Sequence, residues 1–303
     1  MMPATEMIEK QDPIYALARS HTALYAARES GLYHSCDEGR SWHNTLTSLT
    51  SSEPILVTAL AVCNTMLFAG SKGAVLRSED AGSTWQICGL ASPPPLVTAL
   101  GLSPNFEYDG LIAAATAEDG VFISTDRGQS WTGWNFGLID MNVFALALSP
   151  NFEHDGVMFA GTDSGIFRSH DRGRGWNEVD FPMDAAPVLS LALSPMFARD
   201  GVMVAGTEHS GLFRSDDCGV SWQKVTADFG DSPIQSLQFD TTRNSKIWIL
   251  TDSRLLMTED GQQFIEAYPG NFPPHSMATA LLKPLSSQAL LVGFAGGELL
   301  HLS

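Results

Sequence analysis

Hydrophobic positions along this 303-residue chain fall in short alternating runs rather than at a helical spacing. "NVFALALS" (142–149) sets Val143, Ala145 and Ala147 on one face and Phe144, Leu146 and Leu148 on the other, the two-residue period of a half-buried strand. "GVMFAGT", "GIFRSH" and "GWNEVDF" follow, separated by turns such as Asp155-Gly156 and Asp163-Ser164-Gly165. Residues 142–181 therefore read as four strands, and no segment of the chain shows a convincing amphipathic helix.

The same unit recurs. "VTALAVC" (57–63), "VTALGLS" (97–103), "VFALALS" (143–149) and "VLSLALS" (188–194) share a face of Val followed by small residues and an opposite face of Leu. Strands that crowd around an axis need small side chains against their neighbour's bulk, so this is a packing pattern. Units begin near Ile14, Ile55, Leu96, Asn142, Pro187 and Ile234, and the tail adds three more strands, "MATALLK", "ALLVGF" and "GELLHLS". Four strands in a repeat of roughly 45 residues is the arithmetic of a β-propeller. An open ring would leave unpaired edges, so the N-terminal "ATEMIEKQ" is expected to supply the last outer strand. The prediction is an all-β, seven-bladed β-propeller of four-stranded antiparallel blades, a single domain over 1–303, closed by its N-terminal strand.

Each unit also carries a polar signature: "GLYHSCDEGRSW", "AVLRSEDAGSTW", "GVFISTDRGQSW", "GIFRSHDRGRGW" and "GLFRSDDCGVSW". Their tryptophans, Trp42, Trp85, Trp131, Trp176 and Trp222, mark the repeat, and "TEDGQQF", ending at Phe264, reads as a worn sixth copy. An Asp carboxylate accepts backbone N–H groups within its own turn, Gly supplies a positive φ, and the Trp buries apolar area. Asp37, Asp80, Asp126, Asp171 and Asp217 are accordingly assigned to structure with their tryptophans. One carboxylate per loop is too few for calcium, which takes six to eight oxygens.

The pattern S-x-D-x-G-x-[ST]-W resembles the Asp-box, or BNR repeat, of sialidases, xyloglucanase-type glycoside hydrolases, sortilin-like receptors and photosystem II assembly factors. Gly175 departs from it by replacing the hydroxyl. The resemblance implies that the boxes lie on one face of the propeller and binding or catalysis on the other. It also implies that a sialidase would need three arginines on the substrate and an arginine-containing RIP-type motif. No such motif occurs here. Arg77, Arg168 and Arg214 stand in "LRS" and "FRS" at the box end of the third strands, so they are expected to bridge box carboxylates or cover blade edges.

Charge narrows the partners. Acidic residues outnumber basic ones 34 to 17, giving a net charge of −17, and like charge disfavours nucleic acid or an anionic membrane. No apolar stretch is long enough to span a bilayer and no secretory signal is visible, so a cytoplasmic location is expected. The four cysteines and eight histidines show no metal-ligand spacing, and neither a metal nor a cofactor is expected. Candidate binding residues lie in the loops opposite the boxes: Arg28, Glu29, Asp119, Asp140, Asp163, Asp184, Glu208, His209, Asp231, Asp252 and Arg254.

The expected role is a non-catalytic interaction or assembly scaffold that docks a protein, one with a basic surface, on this acidic face. The alternative is a glycoside hydrolase, in which Asp140, Asp184 or Asp231 would converge as a carboxyl pair about 5–9.5 Å apart. A third reading places a small molecule at the mouth of the central channel.

Overall fold

In the computed structural model each repeat forms an antiparallel meander, and seven meanders make a propeller. The structure describes residues 11–49, 53–240, 246–259, 261–268, 272–273, 276–283 and 290–302. Six blades have four strands in sequential order, and blade 7 has three described strands, Ala278–Leu282, Leu290–Phe294 and Leu299–Leu302. The expected closing strand, residues 4–11, lies outside the described residues except for Gln11. Closure is nonetheless visible among the innermost strands, because Ile14–Arg19 of blade 1 packs on Ala278–Leu282 of blade 7. Among the described residues, no helix is long and apolar enough to cross a membrane.

The alternation read from the sequence sets the packing between blades. Gly101, on the small face of one innermost strand, lies against Leu148 of the next, and a Cβ on it would meet Leu148 Cδ1 at 2.7 Å. A second glycine contact repeats in the second strands. Gly70 meets Val97, Gly161 meets Val188, Gly206 meets Ile234 and Gly293 meets Ile14, each with room for no methyl group. The receiving Val188, Ile234 and Ile14 each precede a register shift in their strands. Such a bulge re-aims a side chain, here toward the preceding blade. Hydroxyls add a bond across four of these seams: Thr58, Thr98, Ser190 and Thr279 donate to the carbonyls of Val97, Val143, Ile234 and Ile14 at 2.5–2.8 Å. The last of them joins blade 7 to blade 1.

In a meander the first and third strands end on one rim and the second and fourth on the other. The first rim holds the Ser-Asp-Gly-Trp corners together with the "SPNF" and "SPMF" loops. Those loops contain single helical turns that the period-two reading left out, Phe106–Asp109, Phe152–Asp155 and Phe197–Asp200. Each turn ends at a left-handed glycine, Gly110, Gly156 or Gly201, and its Phe is buried beneath the blade. The same glycines accept N–H bonds from Arg127, Arg172 and Cys218 of the corners, so the two loop sets share a rim.

Candidate functional site

At the corners the chain consumes its own chemistry. The serine hydroxyl donates to Asp Oδ1 at 2.7–2.8 Å in all five copies and accepts the glycine N–H at 2.7–2.9 Å. In four copies the later Ser or Thr hydroxyl donates to Oδ2 at 2.5–2.7 Å, and its N–H donates to Oδ1. Hydrogen bonds to the ionised form lower a carboxyl pKa. The Thr84 and Ser78 bonds accordingly bring Asp80 to about 2, and the Ser221 and Ser215 bonds do the same for Asp217. Burial pushes Asp126 up, but the Ser130 and Ser124 bonds outweigh it and hold it at about 2. Asp37 lies well below the ordinary range through Ser41 and Ser35. Gly175 keeps the N–H bond to Asp171 at 2.8 Å and forms a parallel backbone bridge with Phe136 of the preceding blade.

Two expectations about the corners change. Glycine is not the sole left-handed residue, since Glu38, Ala81, Arg127, Arg172 and Cys218 precede it with φ of 56–64°. Non-glycine residues in that region cost roughly 1–2 kcal/mol, which the carboxylate bonds offset. The tryptophans are not equally buried either. Trp85 and Trp176 are buried and donate their indole N–H to Thr45 and Trp134 carbonyls of the preceding blade, whereas Trp42, Trp131 and Trp222 are half-buried.

The three arginines are structural. Arg77 Nε donates to the carbonyl of Arg127 at 2.7 Å and Arg168 Nη1 to that of Cys218 at 2.8 Å, each in the next blade's corner. Arg214 pairs with Asp216 at 2.7 Å and lies against Gly261 of blade 6. Arg77 and Arg168 thus reach carbonyls of the neighbouring corner, and Arg214 the side chain of Asp216, rather than the five box carboxylates.

On the opposite, loop rim the candidate residues fall into groups. At the seam of blades 3 and 4, Asp140 Oδ1 accepts the N–H of Asn142 at 3.0 Å and its Oδ2 accepts the N–H of Ser164 at 2.7 Å. Asn142 in turn accepts the Glu118 N–H at 3.0 Å and donates to Asp163 Oδ2 at 2.8 Å. Glu118, Asp140 and Asp163 are thus brought together around Asn142, a residue the sequence reading passed over because a single Asn in a loop carries no pattern, while the Asp119 carbonyl accepts from Asn135 Nδ2 at 3.0 Å. Burial raises Asp140, and the Ser164 and Asn142 bonds more than cancel it, so this carboxyl is held below its ordinary range.

At the seam of blades 4 and 5, Ser210 donates to the Asp184 carbonyl at 3.2 Å, and Glu208 lies 3.6 Å from the exposed His209. The remaining candidates are spread over other blades. Arg28 is 3.6 Å from Asp12, Glu29 shares its turn and helps raise Tyr15, whose burial is the larger cause, and Arg254 donates to the Asp228 carbonyl at 2.8 Å. Asp252 accepts the Ala278 N–H through its carbonyl, and Asp231 is exposed in the loop between blades 5 and 6.

A cavity of about 530 Å³ opens at the central channel, but on the corner rim. Leu148, Leu193, Leu237 and Phe239 line it beside Pro150 and Lys283, the last paired to Asp240 at 2.7 Å. The sequence placed a ligand at a channel mouth without saying which. Among the described residues, no group of three His, Cys, Asp or Glu side chains could hold a metal.

Solved structures share this architecture at low identity. A structure of YCF48 bound to D1 peptide superposes with a TM-score of 0.73 and 16% identity, over 96% of this chain and 93% of that one. The GH74 xyloglucanase of Xanthomonas campestris gives 0.76 and 16%, over 95% of this chain and 51% of the enzyme. An extracellular domain from B. thetaiotaomicron gives 0.73 and 14%, and this chain, 96% covered, spans 38% of its length. Comparison with curated proteins gives no match. The model of the DUF6242 beta propeller domain matches residues 2–253, and with that match over most of its length the chain belongs to this family.

Proposed function

We propose that the protein is a non-catalytic interaction or assembly scaffold, a single domain that docks a protein partner on its loop rim, with corners of the Asp-box type as framework. The observation that carries this reading is the state of Asp140. A general acid for glycoside hydrolysis needs a raised pKa and a free carboxyl. Asp140 instead gives both oxygens to backbone N–H groups of two loops and is held low. The inter-blade loop 138–141 that carries Asp140 is short, which supports the same view. YCF48, a propeller of matching length, is solved with a peptide bound, which favours a peptide-binding role. The xyloglucanase is about twice as long as this chain.

The test is direct. Immobilised protein is used to capture partners from its native host, and each captured protein is purified and its affinity measured at about 0.05 and about 0.5 M salt. A direct binder whose affinity falls at high salt is expected for an acidic docking face. Turnover of any member of a chromogenic glycoside panel, abolished by Asp140→Asn or Asp231→Asn, overturns the reading in favour of a hydrolase.

A further inference from the structure

The loop rim is not uniform. From blade 3 to blade 5 its loops form a continuous arc: the Ala117–Gly120 turn bonds to the 138–142 loop through Asn142 and Met141, and that loop bonds to the Asp163–Gly165 turn through Asp140. Gly165 lies against Phe181, at the start of the next inter-blade loop, and that loop joins the 207–211 turn through Asp184 and Pro187. Two large apolar side chains stand out from this arc, Ile139 at 77% and Met183 at 86% exposure. Each belongs to an inter-blade loop, and each has no counterpart in the packing of the blades. Exposed apolar side chains in a polar frame mark interaction sites more often than isolated surface residues do.

The frame has one sign. Glu118, Asp119, Asp140, Asp163, Asp184 and Glu208 lie in these loops, and no Lys or Arg does. Elsewhere on the same rim three of the four remaining blades carry a cation: Arg28 in blade 1, Lys72 in blade 2 and Arg254 in blade 6. The hydrogen bonds on Asp140 and Asp163 come from neutral N–H donors and leave their charge in place.

We infer that this arc, rather than the rim as a whole, is the docking surface, and that its occupant is a peptide segment of a partner protein in which Lys or Arg alternates with aliphatic side chains. This rests on the scaffold reading above and narrows it. The occupant's aliphatic groups cover Ile139 and Met183, and its cations meet the surrounding carboxylates. The partner's charge then steers association and its apolar groups hold the complex.

The probe is a fluorescent amphipathic peptide of Lys and Leu, compared with its Glu and Leu analogue, with affinity read by anisotropy on the full chain. Two variants alter the arc, Ile139→Ser/Met183→Ser and Asp119→Asn/Asp184→Asn. Glu178→Gln/Glu266→Gln makes the same charge change on exposed outer strands. The arc variants are expected to weaken Lys/Leu binding about tenfold or more each, the control less than about twofold, and the Glu/Leu peptide not to bind. Circular dichroism and melting confirm that each variant is folded. Equal weakening by the arc and control charge variants, or full affinity after Ile139→Ser/Met183→Ser, overturns the assignment of the arc and leaves the scaffold reading standing. An uncharged xyloglucan oligosaccharide whose binding is lost with Ile139→Ser/Met183→Ser overturns the peptide as occupant. No binding of the Lys/Leu peptide by the unaltered chain overturns both the arc and an acidic docking face.

Discussion

The two rims of this propeller are both built from the loops that join its strands, yet they are opposites in how those loops are held. On the corner rim the same hydrogen bonds recur five times: a serine to an aspartate, a glycine to that serine, and in four copies a second hydroxyl to the remaining oxygen. On the loop rim the buried Thr116, Thr162, Thr207 and Thr251 repeat one hydroxyl bond across the turn between the second and third strands, but the carboxylates there share no arrangement. Asp140 clamps two loops, Asp184 offers only its carbonyl, and Asp231 stands exposed. Repetition with saturated donors and acceptors is what a framework requires, because an unpaired buried polar group costs more than a bond returns. Irregular loops with unused charge and exposed aliphatic groups are free to differ from blade to blade.

The largest way to break this contrast is acid, since the corners titrate together. Asp80, Asp126 and Asp217 have folded values near 2, below the ordinary unfolded value of about 3.9. A depressed folded pKa gives stability that is present above the unfolded value and is lost as pH falls through the folded one. The melting temperature should therefore hold from neutrality to about pH 4 and fall steeply between about pH 4 and pH 2. A flat profile through that window would show that the corners do not hold the blades.

Single substitutions on the framework come next. Trp176→Ala should cost roughly 3–5 kcal/mol in chemical denaturation, because the ring is buried between blades 3 and 4. Trp222→Ala, at a half-buried copy, should cost about half as much. Equal losses would mean that burial is not what the tryptophan contributes. Gly206→Ala should cost about 1–3 kcal/mol by overpacking, since its new Cβ would approach Ile234 Cγ2 to 2.5 Å. The smallest effect belongs to the loop rim: Asp231→Asn should stay within about 0.5 kcal/mol, and a larger loss would make that loop part of the framework.

The architecture was legible because it is repeated. A five-fold signature, a period-two alternation and a Val/small against Leu partition each reported the same unit, and each maps onto a contact. Gly101 against Leu148 is the alternation seen in space. What sits beside a repeat was harder to see. The second left-handed residue at each corner is Glu38, Ala81, Arg127, Arg172 or Cys218. Four different residue types share one backbone state because the carboxylate bonds impose it, and no propensity reveals that. The bulges that turn Val188 and Ile234 toward the preceding blade arise likewise from a neighbour's glycine.

By itself, then, the sequence determined the blade: strand count, turn chemistry and the residues that face a neighbour. Those follow from local periodicity and from bonds that close within a few residues. Only the tertiary structure decided what happens across seams. It sent Arg77 and Arg168 to the next blade's carbonyls, gathered Glu118, Asp140 and Asp163 around Asn142, left Ile139 and Met183 uncovered, and opened the channel cavity on the corner rim. Each of these depends on residues that are distant in the chain and adjacent only once the ring has closed.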